Sequence, residues 1–185
     1  PPAIDGLGRP VLGLADGSIL ALTPYGAPVA TAGAAADGSA GDAPWRGSSP
    51  ARLLVPLASS EGLPSVAAAL ADGSLVLLGA DGALRARVEP GASRSPFVDL
   101  AWDGAVLYAL DAQGRLLALS AAGRALWSAE TRCPDGRLAV FAERVVVAAR
   151  GRAVSLSTSG EVFREIGISN AASRALVAPS GLLFS

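Results

Sequence analysis

The chain has 185 residues, 51% of them apolar, 17% charged and with a formal net charge of −1, a size and composition that allow one domain with a sizeable core. All 15 basic residues are arginines scattered along the chain, so no footprint for nucleic acid or anionic lipid stands out, and neither partner is expected. Histidine, lysine and methionine are absent, which closes imidazole acid–base chemistry, Ser-His-Asp relays, His metal ligation, Schiff bases and phosphate-loop lysines.

Cys133 is the single cysteine and sits in the turn-like "CPDG", which leaves no intramolecular disulfide and no Cys-cluster zinc site. No apolar stretch reaches membrane-spanning length and no signal-peptide pattern opens the chain, so a soluble domain without direct membrane insertion is expected. A chain that begins "PPAIDG" and holds no Met reads as processed or excerpted.

In chain order, the first signal is "VLGLADGSILALTPYG", an apolar run, a glycine, a second apolar run and another glycine. The arrangement recurs: Gly17 and Gly26, Gly73 and Gly82, Gly114 and Gly123, and Gly151 and Gly160 are each nine residues apart. Each pair encloses a strand-length apolar core, for example Leu75, Val76 and Leu78 or Leu116, Leu117 and Leu119. The spacing predicts strands at 11–15, 18–23, 66–71, 74–79, 105–110, 115–120, 145–149 and 152–157, with no helix longer than about two turns. Asp16-Gly17 and Asp72-Gly73 supply the dipeptide that a tight hairpin with positive φ prefers. Such aspartates, Asp81 included, read as turn chemistry rather than catalytic carboxylates.

A third strand follows each second glycine, "APVAT", "ALRARVE", "RALWSAE" and "EVFREIG", and a fourth precedes each hairpin, "PPAID", "ARLLVPLA", "SPFVDLAW" and "RLAVFAE". Four antiparallel strands per repeated unit describe a β-propeller blade, and the chain is read as one all-β propeller domain over residues 1–185. Four complete units and a fifth, "ALVAPSG" leading to Gly181, give about four to five blades. Either the first residues complete the last blade or the chain is part of a larger propeller, and the second reading is favoured because "PPAIDGLGRPVLGL" resembles "SPFVDLAWDGAVLY".

Two segments resist the repeat. Residues 30–50, "ATAGAAADGSAGDAPWRGSSP", have the composition of a flexible excursion, and residues 33–48 are expected to leave the blade as a surface loop. Trp45 and Arg46 within it are candidates for partner contact, against the alternative that Trp45 ends a strand and packs inward. In "LAWDGAVLY", Trp102 and Asp103 are the second candidate contact, against packing between blades.

The stretch "YALDAQGRLLALSAAGRALW", with Ala118, Leu119, Gly123 and Trp127, resembles the quinoprotein-type repeat, "G-x-L-x-A-L-D-x-x-G-x-x-x-W", of pyrroloquinoline-quinone-like propellers. It departs from the pattern at Ser120 and Ala122, and the tryptophan position is Ala30, Ala86 and Arg164 in the other units. The resemblance implies a bacterial, periplasmic or cell-envelope protein, and a Trp127 largely buried between neighbouring blades. The enzymes of that family hold a quinone with a calcium or lanthanide ion on Glu, Asn and Asp. No such set matches here, since the one asparagine is Asn170 in "GISNAASRA" and vicinal cysteines are impossible. No cofactor, metal or catalytic residue is therefore expected. The reading is a non-catalytic scaffold for a protein partner or small ligand, with a quinoprotein dehydrogenase fragment, its cofactor site elsewhere, as the alternative.

Overall fold

The computed structural model describes residues 2–5, 7–23, 25, 33–34, 40–41, 45–57, 64–90, 95–141, 143–167, 175–178 and 181–184; the side chains of 33–34, 40–41, 46, 175–178 and 181–184 lie outside that description. Every regular element among these residues is a strand. The first sheet holds β1 (Pro2–Ile4), β2 (Pro10–Gly13) and β3 (Ser18–Ala21); after a separate ladder of β4 (Gly33–Ala34) and β5 (Ala40–Gly41), β6 (Trp45–Arg46) closes it in the order β1-β2-β3-β6.

The second sheet is β7 (Ala51–Pro56), β8 (Pro64–Leu70), β9 (Leu75–Gly79) and β10 (Leu84–Val88). The third is β11 (Phe97–Trp102), β12 (Val106–Asp111), β13 (Arg115–Ser120) and β14 (Ala125–Glu130). The fourth is β15 (Arg137–Phe141), β16 (Arg144–Ala149), β17 (Arg152–Ser157) and β18 (Val162–Gly167). In all three, chain neighbours pair antiparallel. A last ladder joins β19 (Ala175–Ala178) to β20 (Gly181–Phe184). The eight predicted hairpin strands are all present, those at 115–120 and 152–157 with the expected bounds. The strand expected in "APVAT" lies outside the described residues.

The turns are made by glycine. Gly17, Gly73, Gly114 and Gly151 take φ of 87°, 86°, 88° and 81°, a region that L side chains avoid. The Gly151 hairpin closes in two residues, with Ala149 paired to Arg152, whereas the Asp-Gly hairpins close in three. Gly73 N–H donates to Leu70 O at 3.1 Å while Leu70 N–H donates to Ser74 O at 2.8 Å, a three-residue loop that ends in a left-handed glycine. An aspartate in or beside the turn caps the loop from outside. Asp16, Asp72, Asp81, Asp103 and Asp111 each accept, on Oδ1, the N–H two residues on, at 3.0, 2.9, 3.1, 2.8 and 2.9 Å.

The chain divides into two compact units, residues 1–96 with 121–123 and residues 97–120 with 124–185. Each has its own core, built by one rule. In the first unit, Ile19 and Ala21, two and four residues after Gly17, face Val76 and Leu78, three and five after Gly73, with Val11, Val66, Ala68 and Leu70 beside them. In the second, Leu116 and Ala118, two and four after Gly114, face Val154 and Leu156, three and five after Gly151, with Tyr108, Leu110, Val145 and Val147. One face of a sheet thus packs on the opposite face of the next sheet. Because β8 and β9 are buried along their whole length on both faces, Val66–Leu70 and Leu75–Leu78 read as unbroken apolar runs rather than alternating ones.

Three expectations are corrected here. Residues 33–48 do not simply leave the sheet: Trp45 pairs with Ile19 and Arg46 with Ser18 as the fourth strand, because the indole has an apolar core to enter. Trp127 is half-buried rather than largely buried, since β14 is the last strand of its sheet, with no strand paired to its second edge among the described residues. The run "ALVA" before Gly181 was read as the strand ahead of a first glycine, yet β19 lies beside β15 as β15 lies beside β11, so it takes the place of a first strand.

Candidate interaction surface

The candidate contact residues take different places. Trp45 is 9% exposed in the core of the first unit, the inward-packing alternative. Arg46 continues its strand, and its side chain lies outside the described residues. Trp102, half-buried, ends β11 in the second unit and pairs with Leu107. Asp103 is exposed, but its carboxylate serves its own turn: Oδ1 accepts from Ala105 N at 2.8 Å and Val106 N at 2.7 Å, and Oδ2 accepts from the Tyr108 hydroxyl at 2.9 Å. Burial, with that hydrogen bond and the Asp103 charge, pushes the Tyr108 phenol well above the usual range.

Chemistry-bearing clusters are scarce. Among the described residues no group of three or more Asp, Glu or Cys could hold a metal ion. In the first unit a cavity of about 20 Å³ lies among Val11, Ile19, Ser65, Val66, Leu78 and the Asp5–Arg9 pair, room for about one water molecule. The Asp5 carboxylate there is fully engaged, accepting from Leu7 N, Arg9 N and the Arg9 guanidinium.

What stands out instead are the outer strands. β10, β14 and β18 each carry a register shift at one place in the repeat. Leu78 pairs with Leu84 and Leu77 with Ala86, Leu119 with Ala125 and Ala118 with Trp127, Leu156 with Val162 and Ser155 with Arg164. The residue left over is Arg85, Leu126 or Phe163, three positions after the second glycine of its unit. An extra residue in an edge strand leaves the ladder and is turned to solvent. Leu126 is accordingly 53% and Phe163 65% exposed. The Arg144 guanidinium stacks 3.4 Å above the Phe163 ring, an arginine–aromatic pair of the kind enriched at binding hot spots. The bulge was not foreseen, although aligning the units on their second glycines would have placed these residues in one column.

No protein-family model matches the chain, and no curated protein matches it. Solved structures do. The chain resembles the computationally designed Ika8 protein at 17% identity and a TM-score of 0.69, over 95% of this chain and 52% of that one. It resembles BamB from Moraxella catarrhalis at 19% and 0.69, over 94% and 51%. It resembles BBS1N, solved in complex with ARL6DN, at 17% and 0.67, over 95% and 57%. The chain therefore spans about half the length of the structures it matches. Its fold is all-β, of the β-propeller class, with blades of four antiparallel strands.

Proposed function

We propose that the chain is a non-catalytic propeller scaffold that binds a protein partner through its outer strands, and that its repeat is of the quinoprotein type without the cofactor. The observation that carries this reading is the bulged residue of each complete outer strand, which sets Leu126 and Phe163 into solvent on rigid sheets. BBS1N, of like fold, was solved in complex with ARL6DN, which supports a protein partner. Asp72, Asp103 and Asp111 each give Oδ1 to a backbone N–H of their own turn, which supports a structural role for them. A bacterial cell-envelope location follows from the resemblance of the repeat.

The test is a photo-crosslinking amino acid placed at Leu126 or Phe163 in cells, with buried Leu107 as control. Adducts to one protein from the exposed positions alone are expected; none from either overturns the scaffold reading. Purified protein given pyrroloquinoline quinone, calcium and an alcohol is expected to reduce no dye, and alcohol-dependent reduction would overturn the non-catalytic part.

A further inference from the structure

Strand β18 closes the fourth sheet, and its second edge pairs with nothing among the described residues. All six of its residues are exposed. β10 and β14 likewise end their sheets, and what sets β18 apart is a cation without a partner among its exposed side chains. On β10, Arg85 pairs with Asp81 at 2.7 Å, and Arg87 with Glu89 at 2.8 Å and Asp72 at 3.7 Å. On β14, Trp127 lies against Gly160. On β18, Phe163 is covered by Arg144 and Glu165 is held by Arg152 at 2.7 Å. Arg164, at the repeat position of Trp127, is exposed and has neither a hydrogen bond nor an ion pair among the described residues. Ile166, on the same face and two residues along, is 37% exposed. The bulge at Phe163 stops short of this stretch, and Arg164–Gly167 keep regular register with Ser155–Arg152.

We propose that the edge of β18 receives an extended segment of a protein partner that carries an acidic residue opposite Arg164 and an aliphatic residue two positions along, against Ile166. The proposal rests on the scaffold reading and names its site and partner chemistry. Main-chain hydrogen bonds to the free edge supply affinity, while alternate side chains on one face supply choice. An acid opposite Arg164 gives the one unpaired cation of the strand its counter-charge, and an aliphatic side chain opposite Ile166 takes apolar surface out of water. A second copy fits badly. Two β18 strands related by a twofold axis normal to the sheet place some residue opposite its own copy, and at mid-strand that residue is Arg164 or Glu165, a like-charge pair.

The experiment uses the full chain and two fluorescein-labelled peptides, Thr-Val-Thr-Glu-Thr-Val-Thr and its counterpart with Lys for Glu, followed by anisotropy. The acidic peptide is expected to bind about tenfold tighter than the basic one. R164E should reverse that order and Arg164→Gln should abolish the preference, each with an unchanged circular-dichroism spectrum. No binding up to about 1 mM, a preference unaltered in R164E, or self-association that R164E strengthens would each overturn the proposal. Crosslinks from Phe163 that persist while R164E changes nothing would remove this site and leave the scaffold reading standing.

Discussion

The indole of Trp127 lies on the backbone of Gly160. A Cβ built on that glycine would stand 2.7 Å from Cδ2 and 2.8 Å from Cε3 of the ring, and Nε1 donates to Thr158 O at 2.7 Å. Gly160 also has φ +89°, so Gly160→Ala meets both a backbone penalty of about 1–2 kcal/mol and the ring itself. A total loss of about 2–4 kcal/mol in urea unfolding is expected. Because the indole is half-buried, Trp127→Ala should cost about 2–3 kcal/mol, below the range for a fully buried tryptophan. In the Trp127→Ala background, Gly160→Ala should cost only its backbone part; strict additivity of the two losses would show that the ring and the turn do not interact.

Trp45 is the matching anchor of the first unit. It enters the core beside Ile19, Leu70 and Val76, and Gly47 leaves room for it, since a Cβ there would lie 2.7 Å from Cη2 of the ring. β6 has two residues, too few for its ladder to hold it, so the indole fixes the strand. Trp45→Ala is expected to cost about 3–5 kcal/mol and Trp45→Phe about half of that. A variant that joins Ala32 to Ser49 through a short linker removes the same side chain and should lose at least as much. Unfolding of that variant at the parent's midpoint would place Trp45 outside the core.

How much of this could be read in the sequence depends on how local each cause is. The hairpins were legible because a glycine turn and its flanking apolar runs lie within about twenty residues of one another, and turn geometry is set there. β6 was not legible. Its neighbours are proline, alanine, aspartate, glycine and serine, and what makes it a strand is pairing with Ile19, 26 residues earlier, together with an apolar hole that only the folded first unit provides. The bulges at Arg85, Leu126 and Phe163 escaped for a related reason, because register is a relation between two strands and a single strand does not record it. At the candidate site, Trp and Arg composition drew attention to Trp45, which is buried, and to Asp103, which is bound into its own turn. The exposed Phe163, by contrast, lay in a segment read only as a strand.

Tyr108 makes a prediction about alkaline pH. The phenol is fully buried, donates to Asp103 Oδ2 and is tilted 47° to Trp127 at 5.9 Å, and its folded-state pKa is raised above the model-compound 10.0. The folded state therefore holds a proton that the unfolded chain gives up above about pH 10. The stability from this group is complete below that pH and erodes as pH rises toward the folded-state value. Tyr108→Phe should cost about 1 kcal/mol at neutral pH, the worth of one hydrogen bond, and should flatten the fall in stability above pH 10. A variant that loses stability with the parent's slope would assign the alkaline transition to another group.

Cys133 offers a probe of the second unit from within. Its side chain is fully buried, burial pushes the thiol pKa up, and Sγ lies 3.9 Å from Val147 O. The loop that carries it is tied to the first-glycine turn of the same sheet: Thr131 N and Oγ1 both donate to Gly114 O, at 2.9 and 2.6 Å, and a Cβ on Gly114 would stand 2.7 Å from Cys133 N. A protonated, enclosed thiol is a poor nucleophile, so Ellman's reagent should not label the native protein and should label one thiol per chain in urea. Gly114→Ala, which strains φ +88° and drives the loop off its turn, should bring labelling to lower urea than the parent needs, by an amount that matches its loss of about 2–4 kcal/mol in the unfolding curve. If native protein labels at the rate of a free thiol, the loop is not closed over Cys133, and the contact between Thr131 and Gly114 does not hold it.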